Sequence, residues 1–182
     1  MKKKIFWFFL PFFFCCFSIL FGCNNIDIFF SKDQITLTGE IPDQISYNIE
    51  IAQIDSNTTK TLIKSGRARV FNTLNETILD SGVIVFFYND NGKQTGTLQA
   101  QVISIDDLSK DMTATGNVIV ISDSMQTTLN TEELKWNQST RKIYSDAPVI
   151  ITSPSEIIFG IGLESNEYLS QYKIFKVTGI KN

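Results

Sequence analysis

Histidine is absent from the 182 residues, and the three cysteines, Cys15, Cys16 and Cys23, all lie near the start of the chain. Without an imidazole, and without a thiol after position 23, the sequence has no Ser-His or Cys-His nucleophilic site and no zinc site of the His and Cys type. It also lacks a Gly-Xaa-Ser-Xaa-Gly elbow and a glycine-rich phosphate loop. Carboxylates are the remaining candidates for catalysis.

The carboxylates do not form a pattern that is typical of a catalytic site. Neighbouring side chains on a strand point to opposite faces, so Asp106-Asp107 and Glu132-Glu133 do not form acid/base pairs. Asp90 lies in a turn-like stretch. Asp106, Asp107 and Asp111 lack the glycine-spaced loop of a calcium site. We therefore predict that the protein is not an enzyme and holds no cofactor and no metal.

An apolar stripe of helical period is also missing. From Ile45 onward, apolar and polar residues alternate with a period of two, and β-branched and aromatic residues dominate. The stretch 165–171 is compatible with one helical turn. The predicted fold is all-β, with turn signals at 55–57, 80–82, 89–92, 106–107, 122–124, 137–139 and 153–155.

One β-rich unit recurs along the chain. Its clearest copy is 113–136, TATGNVIVISDSMQTTLNTEELKW, and related copies precede and follow it. Val83, Val118 and Val149 occupy equivalent positions in the three copies. The copies are therefore 35 and 31 residues apart. A repeat of this length that consists of strands indicates hairpins that stack, because no single hairpin buries its apolar face alone.

In all three copies the alternation places the equivalent apolar positions on the same face of the sheet. This alternation fits a closed core and equally fits an apolar trough that is open to acyl chains, so both interpretations stay open. The predicted inward set, which is the lipid-binding set in the second interpretation, is Val83, Val85, Phe87, Leu98, Ala100, Val102, Val118, Val120, Leu129, Val149 and Ile151.

The N-terminus has the features of a secretory signal. Lys2, Lys3 and Lys4 precede an almost purely apolar run, and Leu20-Phe21-Gly22-Cys23 follows, which looks like a bacterial lipobox. We predict a signal peptide over residues 1–22, acylation of Cys23, a tether over 23–44 with an edge strand near 35–38, and a β domain over 45–179. An uncleaved signal anchor, long enough to span a bilayer, stays open.

Loss of the three N-terminal lysines leaves 13 basic residues against 19 acidic ones, a net charge of −6. A domain with this charge has no electrostatic attraction to nucleic acid or to anionic headgroups. A sugar-lipid or protein partner remains compatible with it.

The β domain resembles the LptC family of the lipopolysaccharide export machinery and, more broadly, the OstA-like fold shared with LptA. The resemblance covers roughly residues 45 to 178, and the order and spacing of several short motifs carry it. These motifs are Gly82-Val83-Ile84-Val85, Gly96-Thr97-Leu98-Gln99-Ala100, Gly116-Asn117-Val118-Ile119-Val120, Leu129-Asn130-Thr131-Glu132-Glu133-Leu134, Ser145-Asp146-Ala147-Pro148-Val149-Ile150-Ile151 and Phe159-Gly160-Ile161-Gly162-Leu163-Glu164-Ser165.

The resemblance implies an antiparallel β-jellyroll, open at the ends, that accepts lipopolysaccharide or a related glycolipid from an inner-membrane ABC transporter. It implies transfer to an LptA-like protein that is stacked edge to edge in the periplasm. The last strand-like run, with Tyr172, Ile174 and Val177, is the candidate partner edge, although Lys173 and Lys176 are equally typical of a protected edge. The lipobox replaces the uncleaved anchor that is more usual in the family, and leaves open which membrane holds the acylated cysteine. The resemblance makes the inner membrane the expected location.

Two other functions fit the same sequence. A lipid-anchored scaffold or adhesin requires the anchor and a β domain, but gives no reason for an apolar interior that is available to a ligand. An LptA-like bridge has the same fold, but such proteins are released into the periplasm, and the acylated Cys23 argues against that.

Overall fold

The computed structural model describes residues 41–55 and 57–181. Within these ranges the chain forms ten antiparallel strands and no helix, in one continuous sheet of the jellyroll type. The strands are β1 (Gln44–Asp55), β2 (Thr58–Phe71), β3 (Glu76–Tyr88), β4 (Gln94–Ala100), β5 (Val102–Asp106), β6 (Met112–Ser122), β7 (Thr127–Asn137), β8 (Lys142–Thr152), β9 (Ile157–Asn166) and β10 (Tyr172–Lys181).

The predicted all-β antiparallel fold is confirmed. Strands that are neighbours in sequence pair with each other, except β4 and β5, which together occupy one position between β3 and β6. Val85 pairs with Leu98 in one hairpin and Val120 with Leu129 in the next. The repeating unit in the sequence is therefore a hairpin, and successive hairpins add side by side because each leaves one edge for the next.

The strands bend where their pairing is irregular. Ser81 and Gly82 in β3 have positive φ values of 63° and 87°, and Gly116 and Asn117 in β6 have 78° and 47°. Bulges of this kind bend a strand and increase its twist. The register shifts at this level lie between Ser65 and Arg67, Thr115 and Val118, Thr131 and Lys135, and Ser145 and Pro148.

The turn predicted at residues 80–82 is wrong. The two left-handed residues there form a bulge, after which β3 continues its pairing with β2. A short polar run with glycine favours a turn and a bulge equally, since both need positive φ. The strand that pairs with this stretch decides between them, because a bulge keeps the same pairing partner on both sides of the positive-φ residues.

The hydrophobic core lies on the inner face of the bent sheet. Leu79, Val118, Leu129 and Leu163 are fully buried. Residues from both sides of the bulges belong to one buried cluster, so the two halves of the sheet pack their inner faces together. Burial of a side chain of this size stabilises the fold by about 1.5–3 kcal/mol.

The predicted signal peptide, Cys23 and the edge strand expected near 35–38 lie outside the described residues. The described part begins at Ile41, and Asp43 already donates a backbone hydrogen bond to Val70. Residues 167–171 form a turn between β9 and β10, so the structure has no helix where one helical turn was compatible with the sequence.

Candidate functional site

A cavity of about 400 Å³ lies on the inner face, and we call it the inner cavity. Its wall combines Val85 and Val120, from one side of the bulges, with Ala114 and Leu134 from the other. The volume falls within the range of small-molecule sites in proteins. The lining residues are Gln53, Ile54, Asp55, Lys60, Thr61, Val85, Phe87, Leu98, Ile103, Met112, Ala114, Val120, Leu134, Trp136, Gln138, Arg141, Ile143 and Glu167.

A second cavity of about 420 Å³, which we call the polar recess, shares part of its wall with the inner cavity. Apolar side chains line most of the inner cavity, whereas charged residues and tyrosines line most of the recess. A ligand that fills both would need an apolar part and a polar part. The recess is lined by Asp55, Lys60, Thr61, Phe87, Tyr88, Asp90, Arg141, Glu167 and Tyr168.

Two ion pairs line the polar recess, one between β2 and the β3–β4 turn and one between the β7–β8 and β9–β10 turns. Lys60 forms an ion pair with Asp90, and its hydrogen bond lowers the pKa of the Asp90 carboxyl. Nη2 of Arg141 lies 3.2 Å from Oε1 of Glu167. The neighbouring Glu167 carboxylate, as a hydrogen-bond acceptor, raises the pKa of Tyr168. Both cations are therefore neutralised by carboxylates within the recess.

The turn between β9 and β10 closes one side of the inner face. Leu169 is 2% exposed and packs into the core, although its backbone is left-handed with φ 55°. The hydroxyl of Ser122 donates a 2.9 Å hydrogen bond to the carbonyl oxygen of Tyr168. These contacts hold the end of β6 against a turn that is 46 residues away in sequence.

The structure divides the predicted inward residues into two groups. Four of the eleven line the inner cavity. Six of the others are buried in the closed core beside it. The four are Val85, Phe87, Leu98 and Val120, and the six are Val83, Ala100, Val118, Leu129, Val149 and Ile151.

The placement of Val102 on the inner face is wrong. Val102 pairs with Thr115, whereas the next residue, Ile103, pairs with the buried Ala114. The alternation changes phase at Gln101, which separates β4 from β5 and donates its backbone N–H to the carbonyl oxygens of Thr115 and Gly116. Strict alternation counted through this break assigns Val102 to the wrong face.

Several cavity residues were not predicted from the sequence. Ile103 lies just after the break at Gln101, so its face depends on the bulge. Met112 has the parity of Val118 and Val120, and the alternation in the sequence places it on their face. Leu134 and Trp136 have the opposite parity to Leu129, because β7 changes phase between Thr131 and Lys135, so strict alternation misses them. The charged residues of the recess carry no such signal, because they lie in or next to hairpin turns.

Two sheet edges remain open in the described part of the chain. There, β1 pairs with β2 alone and β10 with β9 alone. In the predicted edge strand, Tyr172 and Ile174 pack against the core, and Val177 is 51% exposed. Open edges of this kind offer unpaired backbone groups to another strand.

The acidic pairs that the sequence offered as carboxylate candidates have structural partners. Asp106 accepts backbone hydrogen bonds from Leu108 and Ser109, which lower its pKa. Asp107 accepts a hydrogen bond from the hydroxyl of Thr77. Within residues 41–55 and 57–181, no three His, Cys, Asp or Glu residues are grouped so that they could hold a metal ion.

A helix long and apolar enough to cross a membrane does not occur in the part of the chain that the structure describes. The fold and the site together define an antiparallel β-jellyroll with an apolar cavity and open sheet edges. Residues 13–180 match the family model described as lipopolysaccharide-assembly, LptC-related. The chain belongs to this family.

Membership of the LptC family relates the chain to lipopolysaccharide transport and places it at the periplasmic side of the cell envelope. No curated protein matches the chain.

Proposed function

We propose that this protein is a membrane-tethered periplasmic component of lipopolysaccharide or related glycolipid transport. It accepts the lipid from an inner-membrane ABC transporter, holds an acyl part in the inner cavity, and passes the lipid to an LptA-like bridge protein. The apolar cavity within the jellyroll is the observation that carries this proposal.

The physical basis is the cost of exposing acyl chains to water. Each methylene that leaves an apolar environment costs about 0.8 kcal/mol. Val85, Leu98 and Val120 offer an apolar wall, and the neighbouring polar recess is suited to a headgroup. Transfer needs no covalent step in this protein, so the lack of a catalytic constellation in the sequence is compatible with the proposal.

The open edge of β10 supports the assembly step. A strand from a partner could add to it by β-augmentation, which would extend the sheet from one protein into the next. Tyr172, Ile174 and Val177 are the residues proposed for this contact. The edge of β1 offers a second surface at the opposite end of the sheet.

The anchor is proposed from the sequence. Acylation at Cys23, after removal of residues 1–22, would attach the domain to the membrane, with residues 23–44 as the tether. More than one acyl chain is needed for stable anchoring, and the modification of a lipobox cysteine supplies this.

A pair of neighbouring phenylalanines in β3 permits a matched test. Phe87 lines the inner cavity, and Phe86 lies on the opposite face of the same strand. The photo-crosslinking residue p-benzoylphenylalanine is placed at one or the other position in the full chain, in cells. Lipid adducts are then identified by mass spectrometry. We expect glycolipid adducts at position 87 and few at position 86.

Equal labelling at both positions, or none at 87, contradicts the lipid-carrier function. In that case a lipid-anchored scaffold is the better description. Mass tagging of Cys23 in the same cells tests the anchor separately, because an unmodified cysteine in the mature chain excludes acylation.

A further inference from the structure

The three lysines of β10 lie on the outer face of the sheet. Residues that are directly opposite each other on paired strands point to the same face, and each lysine shares its row with an exposed residue of β8. These rows are Lys173 with Glu164 and Tyr144, Lys176 with Ile161 and Pro148, and Lys181 with Ile157 and Thr152. On a regular strand, spacings of three and five residues would alternate between faces. The left-handed Gly162 in β9 and the register shift after Val177 therefore keep the lysines together.

The inner face of β10 is apolar. Tyr172 and Ile174 pack against the hydrophobic core. Val177 lies in the same row as the buried Val149, and it is half-exposed because it stands at the edge of the sheet. The edge strand thus has two different rows, an apolar one that continues the core and a basic one on the outer face.

The positive charge of this edge is not compensated by ion pairs. Elsewhere in the described part of the chain, eight basic side chains form ion pairs with carboxylates, whereas the three lysines of β10 form none. The eight are Lys60, Lys64, Arg67, Arg69, Lys110, Lys135, Arg141 and Lys142. Glu164, which lies opposite Lys173, is hydrogen-bonded to Lys142. A chain with an acidic net charge therefore has a basic edge at β10.

Protection of an open edge explains this pattern incompletely. Lysines on an edge strand discourage unwanted strand addition, and both β1 and β10 are open edges in the described residues. Yet β1 contains no lysine or arginine. The lysines therefore distinguish one edge from the other, which is what recognition of a particular partner requires.

We propose that the β10 edge selects a partner protein whose edge strand has carboxylates on its outer face and apolar side chains on its inner face. Opposite charges that face each other across two strands stabilise the pair, and like charges destabilise it. The same charge opposes pairing of β10 with β10 of a second copy, because two rows of lysines would then meet. This assignment rests on the proposed function and specifies the chemistry of the partner that accepts the lipid.

The test uses the full chain in phosphatidylcholine nanodiscs with p-benzoylphenylalanine at position 177. Two biotinylated ten-residue peptides are compared. One alternates valine with glutamate, and the other has glutamine in place of every glutamate. At about 50 mM salt we expect about threefold or more crosslinking of the glutamate peptide. At about 0.5 M salt the two yields should become equal, because salt screens exposed charges.

Two double variants locate the charge that causes the preference. Lys176→Gln with Lys181→Gln should bring the ratio of the two yields close to one. The control, Lys93→Gln with Lys110→Gln, removes two exposed lysines from the connections between strands and should preserve the ratio.

Equal crosslinking of the two peptides to the unaltered chain, or equal effects of the two double variants, overturns the charge assignment and leaves strand addition at β10 intact. If neither peptide reacts at position 177, strand addition at this edge fails and the charge assignment fails with it. The lipid-carrier function is judged separately, by glycolipid labelling at position 87.

Discussion

Arg67 and Asp80 form a two-pronged ion pair between β2 and β3. Nε of Arg67 donates to Oδ1 of Asp80 at 2.8 Å, and Nη2 donates to Oδ2 at 3.0 Å. Arg69 adds a third hydrogen bond to the same carboxylate at 2.9 Å. Asp80 is 7% exposed and lies directly before the bulge at Ser81. The contact therefore holds two strands together at the level where the sheet bends.

Replacement of Asp80 by Asn should destabilise the domain by about 2–3 kcal/mol, because two guanidinium groups would lose a buried carboxylate partner. Urea unfolding followed by circular dichroism measures this. Asp146→Asn is the matched control, since the side chain of Asp146 is 83% exposed, and it should change stability by less than about 0.5 kcal/mol. Equal effects of the two variants would contradict a structural role for Asp80.

The same contact predicts a pH dependence. The hydrogen bond from Arg67 holds the pKa of Asp80 below its ordinary value of 3.8. A lowered folded pKa means that the ionised carboxylate stabilises the fold above that ordinary value, and that this stabilisation is lost as the pH falls through the folded pKa. Between about pH 5 and pH 2, the free energy of unfolding should fall more steeply for the unaltered chain than for Asp80→Asn. Parallel curves for the two proteins would exclude the proposed linkage.

Gly66 lies where β2 passes the bulge of β3. A Cβ atom at this position would stand 2.5 Å from the carbonyl oxygen of Ser81, which is backbone and cannot move aside cheaply. Gly66→Ala should therefore cost about 1–3 kcal/mol through overpacking. Gly179→Ala serves as the comparison, because a Cβ there meets Phe159 at an ordinary 3.6 Å. Thermal unfolding of both variants tests whether close approach at the bulge causes the loss.

Leu169 extends from the β9–β10 turn into the hydrophobic core. Its replacement by Ala should cost about 2–4 kcal/mol, since a buried leucine leaves a cavity that the surrounding sheet only partly closes. Leu108→Ala removes the same atoms from a side chain that is 77% exposed and should have little effect. Similar unfolding midpoints for the two variants would show that the turn is not part of the core.

Ala114 offers a way to fill the inner cavity. The residue is 4% exposed and lines the cavity wall. Ala114→Phe should reduce glycolipid labelling at position 87 by about tenfold, because the added ring occupies the space proposed for the acyl chain. Ala147→Phe, outside the lining, should leave labelling unchanged. Thermal unfolding of both variants separates a filled cavity from a misfolded domain, and full labelling of folded Ala114→Phe would contradict the proposal.

The β10 edge makes a prediction about assembly. A photo-crosslinking residue at Val177 should capture an LptA-like protein in cells, since the backbone of β10 has a free side for strand addition. The same residue at Thr128, in the central strand β7, should capture none. Capture at neither position would leave β10 as an ordinary protected edge, with Lys173 and Lys176 in the protecting role.

Much of the architecture was predictable from local pattern. The alternation of Val83 and Val85, repeated at Val118 and Val120, predicts strands with one buried face, because side chains on a strand alternate by geometry. The hairpin repeat follows from the similar spacing of such pairs, since Val83, Val118 and Val149 are 35 and 31 residues apart. The prediction failed where the alternation changes phase. Val102 faces the opposite way because a single irregular residue, Gln101, precedes it.

The sequence by itself determined an antiparallel β domain, its repeating hairpins and most of its inner face, since these depend on residues close together in the chain. The tertiary structure decided which inner-face residues border a cavity, because Val85 and Leu134 line the same cavity only after the sheet bends at the bulges. It also decided that Lys60, Asp90, Arg141 and Glu167 line one recess. They lie on hairpins far apart in sequence, and no local pattern encodes the bending of the sheet that brings them together.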